Sequence, residues 1–191
     1  MVETAEHQAI PVRGAKLWPM SVEAYHLLGE AGVIGKNTEL LYGLVYTKMP
    51  KSPLHSFLLR RLLQLLQKLE LPGLLVSTEQ PLTLVDSEPE PDIAVVKGTN
   101  EDFRAAHPQT AELVIEICIT SHEYDPSKLR AYAGAQVKEC WLVLGPEKQI
   151  EAFSEPKDGV FGIVRMHGPG GTLQSRSIPN VSVDLNGLFE S

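Results

Sequence analysis

The strongest periodic signal in the chain runs through PLHSFLLRRLLQLLQKLELPG. Leu54, Phe57, Leu58, Leu62, Leu65, Leu66 and Leu69 recur at helical spacing, while Arg60, Arg61, Gln64, Gln67 and Lys68 fall largely on the other side. The segment therefore predicts an amphipathic helix that ends before Pro72 and Gly73. A shorter helix is predicted over VEAYHLLGEAG, with Ser21 as its N-cap and Gly32 as its stop.

Other apolar runs lack that period and read as strands. ELLYGLVYTKM, with Gly43 near its centre, predicts a hairpin; LLVST and PLTLV predict short β segments; EPEPDIAVV predicts a strand with a proline-rich approach. LVIEICI is almost continuously apolar, the pattern of a strand buried on both faces, and ECWLVL is another. Between them DPSKLRAYAGAQ predicts a helix with Asp125 as cap and Pro126 in its first turn, packing Leu129, Tyr132 and Ala133. IEAF, GIVRM and the terminal SVDLNGLF follow, punctuated by the turns PKDGV and GPGGT. The order is that of a mixed α/β domain around a central sheet, spanning residues 18–191 behind a flexible arm at 1–17.

Composition narrows the function more than the fold. With 43% hydrophobic and 21% charged residues in 191, the chain is of ordinary globular make-up and long enough for a core of its own. Aromatics at 6% argue against a stacking platform for single strands. The formal charge of −7 repels a polyanion, so a nucleic-acid partner requires a local basic surface or a bound cation. Cys118 and Cys140 lie in apolar runs without metal or disulfide spacing, and are expected as buried thiols of a cytoplasmic protein. No apolar run is long enough to span a bilayer, so no membrane association is expected.

The candidate chemistry lies in acidic residues that packing alone would not place. Asp92 opens DIAVV, and Glu116 interrupts LVIEICI; a carboxylate taken out of water there requires hydrogen bonds, a cation or a metal. If the two strands are neighbours, both carboxylates converge at one sheet end. Asp92, Glu116 and the Ile117 carbonyl are a donor set suited to Mg²⁺ or Mn²⁺, which keeps several waters. Lys128 stands in the first turn of the next helix, where a cation opposes the helix dipole unless it faces anions. Asp, Glu and Lys around such a cation suit phosphodiester hydrolysis.

Taken in order, ELLYG, SPLHSFLLRRL, EPEPDIAVV, LVIEIC, YDPSKLRAYA and ECWLVL resemble the Uma-type endonuclease family of the PD-(D/E)XK nuclease superfamily, over residues 20 to 190. The resemblance implies a restriction-endonuclease-like mixed sheet flanked by helices and a Mg²⁺-dependent endonuclease acting on DNA. It matches Asp92 and Glu116 to the metal carboxylates, Lys128 to the helix lysine, Glu39 to an upstream acidic position and His55 to a histidine opening the long helix. On this reading Glu39 completes the acidic cluster or anchors Lys128, and His55 contacts a phosphate or orients Glu39. The chain departs from the family pattern at Cys118, Tyr42, Gln136 and Leu144, where Lys, Asp, Gly and Asp are usual.

Plainer readings stand beside each of these. Asp92 suits a turn, Glu116 a structural ion pair, Lys128 and Glu39 a solvated surface, and His55 the apolar face it shares with Leu58, Leu59 and Leu62. Glu88 and Glu90 read as solvated flanks, Asp125 as the helix cap rather than part of a metal cluster with His122 and Glu123, and Arg60, Arg61, Lys48 and Lys51 as a basic grouping near the site. The rival to an enzyme is a catalytically silent nuclease fold that binds nucleic acid or protein. The sequence leaves the oligomeric state open, with a homodimer as one option because enzymes that cut two strands commonly pair.

Overall fold

A computed structural model of the chain describes residues 16–120 and 126–190. The expectations for most of the 1–17 arm and for His122, Glu123 and Asp125 lie outside the described residues.

The first helix, α1 (Val22–Glu30), is capped as the sequence predicts: the Ser21 hydroxyl accepts from the Ala24 N–H at 3.2 Å. A hairpin follows, β1 (Thr38–Leu41) with β2 (Leu44–Thr47), joined by the two-residue turn Tyr42–Gly43. Both turn residues have positive φ, 51° and 74°, the geometry whose twist matches a tight hairpin. A Cβ on Gly43 would meet that of Pro19 at 2.5 Å, so the turn needs glycine twice over. Tyr42 and Gln136, at φ 51° and 59°, are two of the positions that depart from the family pattern, and both use the left-handed region that Asp and Gly tolerate better.

The amphipathic segment forms α2 (Pro53–Lys68), capped by Ser52 and burying His55, Leu58, Leu62 and Leu66. It stops at Leu69, three residues before Pro72, and Leu54 is exposed. Six strands build the main sheet in the order β3 (Leu74–Thr78), β4 (Ile93–Lys97), β5 (Leu113–Cys118), β6 (Glu139–Leu144), β7 (Gln149–Lys157) and β8 (Val160–His167). Among the neighbouring pairs of this sheet only β5–β6 is parallel, and such a pair needs a crossover. The crossover carries α3 (Pro126–Gly134). PLTLV does not become a strand. Its amides go to loop carbonyls, Leu82 N–H to Pro89, Thr83 N–H to Pro108 and Leu84 N–H to Ser87, each at 2.9 Å. A small ladder, β9 (Thr172–Gln174) with β10 (Ser182–Asp184), and α4 (Leu185–Phe189) complete the fold.

Alternation along the central strands divides the core. Ile93, Val95, Leu113, Ile115, Ile117, Trp141 and Val143 pack on α2 and the C-terminal elements. Ala94, Val96, Val114, Cys118, Cys140 and Leu142 pack on the other face with Tyr132 of α3. Both cysteines are buried and neither is in a disulfide, as expected.

One buried carboxylate is purely architectural. Glu139, at the start of β6, accepts from the Trp141 indole N–H at 2.8 Å on Oε1. Its Oε2 takes the Ser175 hydroxyl at 2.6 Å, the Arg176 N–H at 2.9 Å, and the Ser177 N–H and hydroxyl at 3.0 Å each. These bonds tie β6 to the segment that follows β9.

Candidate active site

The β4–β5 register pairs Ile93 with Ile115, and continuing it by one residue sets Asp92 opposite Glu116 at the sheet end. Asp92 Oδ2 accepts from the Ile117 N–H at 2.8 Å and from His55 Nε2 at 3.0 Å, so the bond fixes the proton on Nε2 when the imidazole is neutral. His55 reaches in from the first turn of α2 and is buried; its Nδ1 has no hydrogen-bond partner among the described residues. The other oxygen, Asp92 Oδ1, meets Lys51 Nζ at 3.0 Å. Burial raises the Asp92 carboxyl, but the bond and charge of His55, with Lys51 and the Ile117 N–H, outweigh it and hold it below its usual value.

Glu116 is held from the α3 side. Its Oε1 accepts from the Tyr132 hydroxyl at 2.5 Å and lies 3.3 Å from Lys128 Nζ. Burial pushes Glu116 up to about 7; Lys128 opposes the shift, the negative charges of Asp92 and Glu39 add to it, and Tyr132 again opposes. Lys128 Nζ is also 2.9 Å from Glu39 Oε2, so one ammonium bridges carboxylates from β1 and β5. Burial works against that ammonium, yet Glu116 and Glu39 prevail and keep it charged. This is why a cation is stable in the first turn of a helix.

Asp92, Glu116, Ile117, Lys128, Glu39 and His55 all line one cleft of about 510 Å³. The structure therefore brings every sequence-derived site residue together. It reassigns one contact: His55 is bonded to Asp92 and makes no hydrogen bond to Glu39. The basic grouping separates. Lys51 and Lys48 line the cleft, whereas Arg61 lies over the Phe57 ring and donates to the carbonyls of Leu188 and Glu190 at the C-terminus. Glu88 is no solvated flank: it is buried, with both oxygens on His26 Nε2, at 2.7 and 2.8 Å, and one on the Thr83 hydroxyl. Glu90 is half-buried and paired with Lys48.

Sequence reasoning treated Tyr132 as packing alone. Its place four residues after Lys128, on the same helical face, was the available signal. Glu79, which pairs with Lys51, carried none.

Among the described residues, no three His, Cys, Asp or Glu side chains form a cluster able to cage a metal. The donor chemistry instead fits an open site for a hard cation. Burial raises Glu116, the charges of Asp92 and Glu39 add to the shift, and a divalent ion in this cleft could keep most of its waters.

No curated protein matches the sequence. A solved structure described as a putative nuclease belonging to DUF820, from Anabaena variabilis ATCC 29413, superposes with a TM-score of 0.68 at 16% identity. The match covers 85% of this chain and 96% of the other, and shows a shared fold. The Uma2 family model, described as "Putative restriction endonuclease", matches residues 23–186. That match runs along nearly the whole chain, and the chain belongs to the Uma2 family.

Proposed function

We propose that the chain is a Mg²⁺- or Mn²⁺-dependent endonuclease that hydrolyses DNA phosphodiester bonds in this cleft. The observation that carries the reading is the Glu39–Lys128–Glu116 bridge beside Asp92, a costly gathering of buried charge with no architectural task comparable to that of Glu139. Asp92, Glu116 and the carbonyl of Ile117 would hold the divalent ion, which supplies charge neutralisation at phosphorus and a more acidic water. His55 and the Ile117 N–H fix the Asp92 carboxylate in orientation. Lys128, anchored by Glu39, points its ammonium into the cleft, where it orients the attacking water and stabilises the negative charge developing on the phosphate. Tyr132 holds Glu116 from behind.

The substrate is reached through this local site against a net charge of −7. That charge also favours a second reading, a silent nuclease fold that binds a partner. Nicking of supercoiled plasmid with Mn²⁺ at low salt separates the two. Wild type should nick, and Lys128→Ala should lose about two orders of magnitude or more, the scale of a positioned electrostatic group. Equal rates would remove Lys128 from the mechanism, and an inert wild type would establish the silent fold.

A further inference from the structure

The two ammonium groups of the cleft are held differently. Lys128 is nearly buried between two carboxylates, with 17% of its side chain exposed. Lys51 is 39% exposed, stands in the irregular segment just before the Ser52 cap, and carries its charge on a flexible stem at the mouth. Asp92 shows a matching asymmetry. Its Oδ2 is locked by a buried imidazole and a backbone N–H, whereas its Oδ1 is met by Lys51.

We propose that Lys51 is a built-in counter-ion, sitting on Asp92 Oδ1 where a divalent cation would sit, and that it is exchanged for that cation to become a phosphate-holding group at the mouth of the cleft. The inference rests on the metal-site reading above and adds a role for a residue outside that catalytic set. Two cations on one carboxylate oxygen repel each other, so binding of a divalent ion there favours movement of the ammonium outward.

The cleft provides a place for it to go. Glu79 also pairs with Lys51 and lies at the exposed end of the arrangement, 48% exposed in its side chain. Its backbone is in the left-handed region at φ 55°, strained for a non-glycine residue, and its N–H is directed to the carbonyls of Pro91 at 3.1 Å and Asp92 at 3.3 Å. Glu79 is thus fixed to the backbone of the metal carboxylate and offers the displaced ammonium a second anion. Lys48, the other cation lining the mouth, is already paired with Glu90. Without Lys51, Asp92 would face the cleft with an uncompensated oxygen; with it, that oxygen is compensated at the cost of competition for the metal.

The test is calorimetric titration of the full chain with Mn²⁺ alone, with no nucleic acid present. Lys51→Met, nearly isosteric and uncharged, should bind at least tenfold more tightly than wild type, and Lys51→Arg should stay close to wild type because it retains the charge. Single-turnover cleavage by Lys51→Met should become slower despite the tighter metal, because the phosphate contact is lost. A Lys51→Met affinity equal to or weaker than wild type overturns the exchange. Lys51→Gln serves the same comparison should Lys51→Met fail to give a cooperative melt. If wild type and both neutral variants all bind no Mn²⁺, the metal-site reading itself falls; if all bind equally, that reading stands and the counter-ion role is lost.

Discussion

Adjacent parallel strands carry the two most instructive carboxylates of the molecule, Glu116 near the end of β5 and Glu139 at the start of β6. Glu139 is surrounded by neutral donors, five of them, and every one is a backbone N–H, a hydroxyl or an indole of the scaffold. Glu116 has a tyrosine and a lysine on one oxygen and four other carboxylates, Glu39, Glu79, Glu90 and Asp92, lining the same cleft. A saturated carboxylate has no reason to seek another ligand. One raised to about 7 by burial and like charge remains poised for a cation. The contrast teaches that burial of an acid does not itself mark function; the nature of its partners does.

The sharpest way to break this contrast is Glu139→Ala. Five donors would lose their acceptor, so urea unfolding should show a loss of about 3–4 kcal/mol, with plasmid nicking per folded molecule unchanged. A loss below about 1 kcal/mol would show that Glu139 is not the tie described. Next in size is Lys128→Arg. The guanidinium preserves the charge but is bulkier and planar, and turnover should fall tenfold or more, about 1.4 kcal/mol in barrier, while the melting temperature barely moves. Full activity would reduce Lys128 to a charge without a shape requirement. Glu116→Gln should leave stability within about 1 kcal/mol of wild type in metal-free buffer, because it removes a desolvated charge at constant volume. The same variant should give no calorimetric heat with Mn²⁺; a large fall in melting temperature would make Glu116 a second Glu139. The smallest effect is expected from Ser177→Ala. It removes one of several bonds to Glu139, and its backbone N–H stays, so about 0.5 kcal/mol should be lost.

The sequence displayed one of these carboxylates and concealed the other. Glu116 stands in the middle of an apolar run, where its cost is visible from composition alone. Glu139 begins its strand, a position in which a charged residue normally reaches water, and its hydroxyl and backbone partners arrive 36 to 38 residues later in an unpatterned segment. Glu88 was hidden for the same reason: His26 lies 62 residues away on α1. The helix of Pro53–Lys68 and the strands of the central sheet were legible because period and burial agree there. The PLTLV segment misled because alternation predicts a strand only where a neighbouring strand accepts its amides, and these go to the loop carbonyls of Pro89, Pro108 and Ser87.

The hairpin that brings Glu39 to the cleft bears on how the site comes into being. Lys128 and Glu116 are 12 residues apart, and the contact between Tyr42 of the hairpin turn and Ser127 of α3 spans 85. Closing the longer loop costs more chain entropy, although the cost grows only logarithmically with length. A chain that has formed only the β5–α3–β6 crossover therefore contains Glu116 and Lys128 without the carboxylate that completes the ammonium's surroundings. Docking of the hairpin, by the Gly43 N–H to the Asp86 carbonyl at 2.9 Å and the Met20 N–H to the Gly43 carbonyl at 3.0 Å among other bonds, brings in Glu39. Assembly of the charge cluster is thereby coupled to the long-range topology of the fold, and a locally structured fragment would lack its full electrostatic field.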